Sequence, residues 1–320
     1  MRNARDRAVV AAIRAVVRGE VREAESLAKY STYRIGGPAT VLLPASADDV
    51  VGALAVLSDW GVPWFGLGLG SNVLLPDEGI DALVIRIGKG LDQVEAVGDR
   101  WRLGAGLPAP LAARRTSQAG WAGLQAMVGV PGSVGGGVFM NAGCHGGQWS
   151  DVVETVVAVD RHATVRSFGR AEVPFSYRRS GLEGWLVLET TVKLAPGDPL
   201  ELAAEVARLF EWRQRGTPFN QPCCGSVFKN PEEFEVAGPD GRPLRTAGQL
   251  IEAVGLKGAR QGGVEVSPMH ANYFVNTADA TASDVAQLID RARAAVAARF
   301  AVQLETEVKL IGRLGEYRTL

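Results

Sequence analysis

Cysteine is nearly missing from this 320-residue chain, which has only Cys144, Cys223 and Cys224. Three thiols cannot make a disulfide framework, and sequence neighbours seldom bridge each other comfortably. Long apolar runs are missing too. No stretch approaches the roughly 18 residues of a membrane-spanning helix. The opening segment, MRNARDRAVVAAIRAVVRGE, has apolar residues at helical spacing but is interrupted by arginine throughout. A secretory signal needs an unbroken apolar core, so the expectation is a cytoplasmic protein with no membrane insertion. Net charge is also small: 34 Lys and Arg against 35 Asp and Glu give −1. No overall basic field recruits nucleic acid or anionic lipid, although a local basic groove for a phosphorylated small molecule stays open. Lysine is scarce, and arginine carries most of the positive charge. His145, His162 and His270 have no metal-ligand spacing, the cysteines form no CxxC pair, and no metal is expected. A GxSxG nucleophile elbow is absent, as is the basic and aromatic interleaving that binds single strands.

What is present is the composition of an ordinary globular protein. Apolar residues make up 47% and charged residues 22%, with 39 Gly and 16 Pro. That excludes a disordered chain, a coiled coil and a collagen-like repeat. At about 150 residues per domain the length implies about two domains.

The opening segment predicts an amphipathic helix with Val9, Ile13, Val16 and Val17 on one face. A second helix should start after Ser46 as N-cap, with Asp48 and Asp49 in its first turn, and stop near Gly61. Strands are expected at Thr40–Leu43, Pro63–Gly66 and Leu83–Ile87, an α/β beginning. From about Val94 the texture changes. Gly98-Asp99 between two alternating runs reads as a hairpin. Further strands are expected at Val152–Val159, Thr164–Phe168 and Trp185–Leu194, then a helix from Leu200 to about Arg213. Beyond a Gly- and Pro-containing connection, helices are expected at Thr246–Val254 and from Thr281 or Ser283 to about Phe300. A strand is expected at Glu307–Gly312.

Five segments carry chemistry. In Gly66-Leu67-Gly68-Leu69-Gly70-Ser71-Asn72, glycines let main-chain N–H groups converge on an anion, and Ser71 and Asn72 add donors. No Gly-Lys-Ser/Thr follows, so it is not a P-loop. It runs into an apolar stretch instead of opening a helix, so it is not a Rossmann fingerprint. A plain turn between strands fits the same pattern. The second, Gly129 to Gly143, includes Gly132, Ser133, Gly136 and Asn141. Its glycines cost a regular element roughly 0.5–1 kcal/mol each, which suggests backbone left open to a ligand. Two such loops suit a long diphosphate ligand, a dinucleotide better than a mononucleotide. The third, Pro174 to Ser180, holds Tyr177 and Arg178, although most arginines are simply on the surface. The fourth, Cys224 to Pro231, reads as a rigid turn presenting Ser226, Lys229 and Asn230, or as an ordinary hydroxyl-capped turn. In the fifth, Leu304 to Gly312, strand alternation puts Glu305, Glu307 and Lys309 on one face, a pattern that by itself more often marks a solvent face.

Taken in order, these segments resemble the UDP-N-acetylenolpyruvoylglucosamine reductase (MurB) family. The opening Ser31-Thr32-Tyr33-Arg34-Ile35-Gly36-Gly37-Pro38 carries part of the likeness. Gly255-Leu256-Lys257-Gly258, Ser267-Pro268-Met269-His270-Ala271-Asn272 and the terminal Glu-x-Glu-Val carry the rest. The likeness covers about residues 28–312.

It implies an α/β (α+β) fold, with a two-lobed FAD-binding domain of the MurB/vanillyl-alcohol-oxidase type plus a C-terminal α/β substrate domain. The boundaries expected are an N-terminal helix extension over 1–27, the FAD-binding domain over 28–213 with lobes of about 28–92 and 93–213, and the substrate domain over 214–320. The resemblance further implies FAD held non-covalently, NADPH as hydride donor, a UDP-sugar enol ether as substrate and a place in peptidoglycan precursor synthesis. Gly66, Gly68, Gly70, Ser71, Asn72, Gly132, Ser133, Gly136 and Asn141 would then bind the cofactor. Arg178, Ser226 and Glu307 would be catalytic, and Tyr177, Lys229 and Asn230 would contact substrate, with Lys257 and His270 as neighbours. The short distance between Tyr177-Arg178 and Gly225-Ser226 is similar to the type II subgroup. Two departures are noted: a longer stretch at 232–246, read as a surface hairpin, and Cys223-Cys224 before the serine, read as packing residues. Another FAD-dependent oxidoreductase, or a catalytically silent nucleotide-binding protein, would be the alternatives.

Overall fold

The computed structural model describes residues 3–231, 234–239 and 241–318. The chain divides into two compact units, and the division does not follow the order of the sequence. The first comprises Met1–Glu25, Ala39–Leu69 and Ile80–Arg213; the second comprises Ser26–Pro38, Gly70–Gly79 and Gln214–Leu320. Each has its own apolar core.

The first unit opens with helix α1 (Arg7–Val16), capped by the Asp6 carboxylate, which accepts from the Ala8 N–H. Its buried face is Val9, Val10 and Ile13, whereas Val16 is 49% exposed. The expected stripe was therefore rotated, because α1 rests on the next helix and turns Val10 inward. Its apolar side joins the first unit's core. Helix α2 (Ala47–Trp60) starts and stops where its sequence signals lie, with the Ser46 hydroxyl as N-cap and Gly61 at φ 63° as the left-handed stop. Asp49 ties the two helices together. Its carboxylate accepts from the Arg18, Gly19 and Ala45 N–H groups.

Strands Pro38–Leu43 and Trp64–Leu67 both pair in parallel with Leu83–Arg86. A five-stranded sheet of this unit is antiparallel, in the spatial order Val165–Gly169, Val153–Asp160, Trp185–Lys193, Arg100–Gly104, Val94–Val97. Helix α3 (Ala109–Gln118) was not expected: its buried face is Ala109, Ala112, Ala113, Thr116 and Ser117, with no large apolar residue to mark it. Helix α4 (Val134–Phe139) occupies the second glycine-rich segment and packs on strand Trp185–Lys193. Helix α5 (Pro199–Gly216) follows.

The second unit is built on helices α6 (Ala247–Ala253) and α7 (Ala282–Phe300), each opened by a capping box, Thr246 with Gln249 and Thr281 with Asp284. Strands Arg260–Gln261, Val264–Val266 and Phe274–Asn276 form an antiparallel sheet. Tyr33, Ile35 and Leu74 belong to this unit's core, which explains why residues 26–38 and 70–79 cluster with the C-terminal chain. Strand Val73–Leu74 pairs in parallel with Lys309–Ile311. A hairpin does occur within 232–246, pairing Val236–Ala237 with Pro243–Leu244; Glu232, Glu233 and Asp240 lie outside the described residues.

Candidate active site

Four segments of the second unit meet around the predicted serine turn. Gly225, at φ 80°, reverses the chain and leaves Ser226 half-buried. The next residues are fastened by Asn272, which is 3% exposed. Its main-chain carbonyl accepts from the Val227 N–H, its side-chain oxygen accepts from the Phe228 N–H, and its side-chain nitrogen donates to the Phe228 carbonyl. The Glu307 N–H donates to the Val227 carbonyl at 2.8 Å. The Asn72 side chain donates to the Glu307 carbonyl at 3.2 Å, and the Lys309 N–H returns a bond to the Asn72 carbonyl. Ser226 and Glu307 are thus brought to adjoining positions from residues 81 apart in sequence. In the sequence Asn272 stands only as part of a motif; an amide between Ala271 and Tyr273 gives no separate signal.

The expected strand alternation at Glu305 and Glu307 is not what forms. Thr306 bridges to Phe228, the chain bends at 307 and 308, and the strand proper is Lys309–Ile311. Glu305 is exposed and reaches the ammonium of Lys229, at 2.5 Å between Oε1 and Nζ. Asn230 accepts from the Ala247 N–H, at the first turn of α6. Lys257 pairs with Glu252. His270 accepts at Nδ1 from the Asn272 N–H and meets the Tyr273 ring edge-on.

Tyr177 and Arg178 are the two central residues of a tight turn in the first unit, with the Ser176 N–H donating to the Arg179 carbonyl and the Arg179 N–H donating back. Arg178 is left-handed, at φ 56°. Its Nη2 donates to the Gly143 carbonyl at 2.8 Å, and its guanidinium lies 4.8 Å from the Tyr177 ring centroid.

The glycine-rich segments differ in character. From Gly68 to Asn72 the main-chain N–H groups donate to no protein acceptor among the described residues. Gly70 must be glycine, because at φ 66° a side chain would run into the Tyr30 carbonyl. The second segment is not the open backbone expected of it. Val134 and Gly135 N–H groups donate to the Leu107 and Ala105 carbonyls, and Gly136 N–H to the Ser133 hydroxyl. Its glycines serve packing instead: a Cβ at Gly137 would strike the Trp149 indole, and one at Gly135 would lie 2.7 Å from the Ala105 Cβ. Gly136 alone of the three is exposed. Gly132 contributes its carbonyl to the Ala109 N–H. The two segments do meet in the first unit, where a Cβ at Gly68 would come within 2.6 Å of the Ser133 hydroxyl. At Gly66 a side chain would collide with Leu186. Asn141, 1% exposed, spends its side-chain amide inside the protein.

Burial pushes the Cys144 and Cys224 thiols above the ordinary range, which favours the protonated form of both. Among the described residues no group of three or more His, Cys, Asp or Glu could hold a metal ion, and no helix is long and apolar enough to cross a membrane.

A diphosphate-bearing ligand fits these donors. The run of N–H groups at 68–72 is the kind of cradle an anion fills, and glycines at close approaches let a flat cofactor lie against backbone. The class is given by the family comparisons, an oxidoreductase with an FAD-binding domain: residues 38–169 match the model of an FAD binding domain. Residues 217–311 match that of the UDP-N-acetylenolpyruvoylglucosamine reductase C-terminal domain.

The chain belongs to the UDP-N-acetylenolpyruvoylglucosamine reductase (MurB) family. It is 39% identical over 308 residues to the reductase of that name from Halalkalibacterium halodurans, covering 95% of this chain and 98% of the relative. To the one from Rubrobacter xylanophilus it is 41% identical over 298 residues, covering 90% and 94%. Among solved structures it is similar to the UDP-N-acetylenolpyruvylglucosamine reductase (MurB) of Thermus caldophilus, with a TM-score of 0.76, 31% identity and coverage of 91% of this chain and 99% of that one.

Proposed function

We propose that the protein reduces UDP-N-acetylglucosamine enolpyruvate to UDP-N-acetylmuramate, with NADPH as the hydride donor, in peptidoglycan precursor synthesis in the cytoplasm. The observation that carries this reading is the joining of Glu307 to the turn that carries Ser226, through the Val227 carbonyl, fastened by Asn272 and Asn72. Reducing an enol ether needs a proton donor, an acidic partner for the developing charge and a cation for the carboxylate, and the chain has a candidate for each.

FAD, when bound, supplies the hydride that reaches the β-carbon of the enol ether. Gly66, Gly68, Gly70, Ser71 and Asn72 would hold its diphosphate side, with Gly132, Ser133, Gly136 and the main chain at Asn141 beside it. As the β-carbon is reduced, negative charge moves onto the substrate carboxylate. Arg178 would meet that planar group with its permanently charged fork. Glu307, hydrogen-bonded to the oxyanion, would be its acidic partner; a carboxyl group held neutral by its site can donate in this way. Ser226 Oγ would then give its proton to the α-carbon. A hydroxyl is a weak acid, but an enolate carbon is a strong base, so the transfer depends on fixed geometry. Tyr177, Lys229 and Asn230 would hold the substrate, the last two near its diphosphate. Proximity of Lys257 and His270 is assigned on the motif alone. The domains expected for these tasks are an FAD-binding part up to about residue 213 and a substrate-binding part beyond it.

The test is the absorbance spectrum of the purified protein under anaerobic conditions. Flavin bands should bleach with NADPH and return when the enol ether is added. Bleaching without return would discard the substrate and leave another FAD-dependent oxidoreductase. Absence of flavin binding even with added FAD would discard the enzyme.

A further inference from the structure

Arg178 carries its charge from a costly position. A left-handed backbone is unfavourable for a non-glycine residue, and the turn that holds it is only two residues long between Ser176 and Arg179. Such a turn persists where its surroundings over-determine it. Two buried side chains do this, one at each end. At the near end, Asn141 Nδ2 donates to the Ser176 carbonyl at 2.9 Å and to Gln148 Oε1 at 3.2 Å, while its Oδ1 accepts from the Ser150 N–H at 3.0 Å. At the far end, the Ser180 hydroxyl, 1% exposed, donates to the Phe139 carbonyl at 2.6 Å and accepts from the Leu182 N–H. The Gly143 carbonyl then receives Arg178 Nη2. All three anchors, Phe139, Asn141 and Gly143, lie within five residues at the exit of α4.

We propose that Asn141 and Ser180 are positioning residues for Arg178, pinning both ends of the Tyr177–Arg178 turn to the exit of α4. Neither needs to touch the reacting atoms. This rests on the assignment of Arg178 to the substrate carboxylate.

The experiment measures the rate at which NADPH-reduced flavin in the holoenzyme is reoxidised by the enol ether, in Ser180→Ala, Ser180→Thr, Asn141→Leu and Asn141→Ser, alone and combined with Arg178→Ala. The expected result is retained flavin in the Ser180 variants, reoxidation of the flavin-loaded protein slowed about tenfold or more in Ser180→Ala and Asn141→Leu, and recovery to within about threefold in Ser180→Thr, which restores the hydroxyl. In the Arg178→Ala background the same substitutions should add less than about twofold, because residues acting through one group are non-additive. Full additivity, or no slowing in the single variants while Arg178→Ala is slow, would overturn the inference and leave the Arg178 assignment standing. An Arg178→Ala variant that reoxidises normally would instead remove that assignment. Loss of flavin from both Asn141 variants and from Ser180→Ala would mean that these residues hold the fold or the cofactor, and the inference fails.

Discussion

The Glu307 N–H holds the carbonyl of Val227, the residue after Ser226, so removing the serine hydroxyl leaves the main-chain junction untouched. Ser226→Ala should therefore bind FAD and be bleached by NADPH at the native rate, yet fail to return its flavin bands with the enol ether. Equal loss of both half-reactions in stopped-flow traces would assign the damage to the fold. Arg178→Lys keeps the charge but loses the planar fork and its bond to the Gly143 carbonyl. Enol ether turnover should fall about 10²-fold, and near-native turnover would take Arg178 out of the proposed role. At this scale the sequence points to its candidates directly, because serine, arginine and glutamate stand in short motifs. Asn272 and Asn141 were not legible as supports, since a buried amide announces itself only through the partners that folding brings to it.

Among the elements, α2 and α4 mark the two extremes. Serine, two aspartates and a terminal glycine bracket α2, and local chemistry suffices to place it. The Val134–Phe139 helix contains three consecutive glycines, whose intrinsic preferences oppose a helix. It forms because Gly135 and Gly137 let it press against Ala105 and Trp149, and contacts that close outweigh the propensity. Gly137→Ala should then destabilise the protein by about 1–3 kcal/mol through overpacking, read as a lower urea midpoint.

Asp49 offers a pH test of the clasp between α1 and α2. Burial pushes its carboxyl up, but three main-chain N–H groups outweigh this and hold it below the ordinary range. Its stabilisation is present above the unfolded-state value, near 4, and is lost as pH falls through the folded value. Asp49→Ala should cost about 2 kcal/mol at pH 7. The gap in stability to the native protein should narrow below about pH 4. A gap independent of pH would exclude the carboxylate as its source.

For the whole molecule, the relevant fact is that the second unit's core takes Tyr33, Ile35 and Leu74 from distant parts of the chain. A fragment of residues 214–320 lacks all three, and its strand Lys309–Ile311 lacks the partner Val73–Leu74. Expressed alone, it should show no cooperative thermal unfolding. A sharp transition would mean that the C-terminal chain closes its core without them. Saturating FAD should raise the melting temperature of the intact chain, since a ligand at about 100 times its Kd stabilises by about 2.7 kcal/mol.

The sequence by itself determined the caps of α2, α6 and α7, the alternating strands of the antiparallel sheet and the order of the family's motifs. These depend on neighbours within a few residues or on residue identity alone. Only the tertiary structure decided that a glycine triplet would be helical, that Glu307 would sit on a bend and not in a strand, and that residues 26–38 and 70–79 would join the second unit. Each outcome turns on a close approach between segments far apart in sequence, where steric fit and hydrogen-bond satisfaction override local preference.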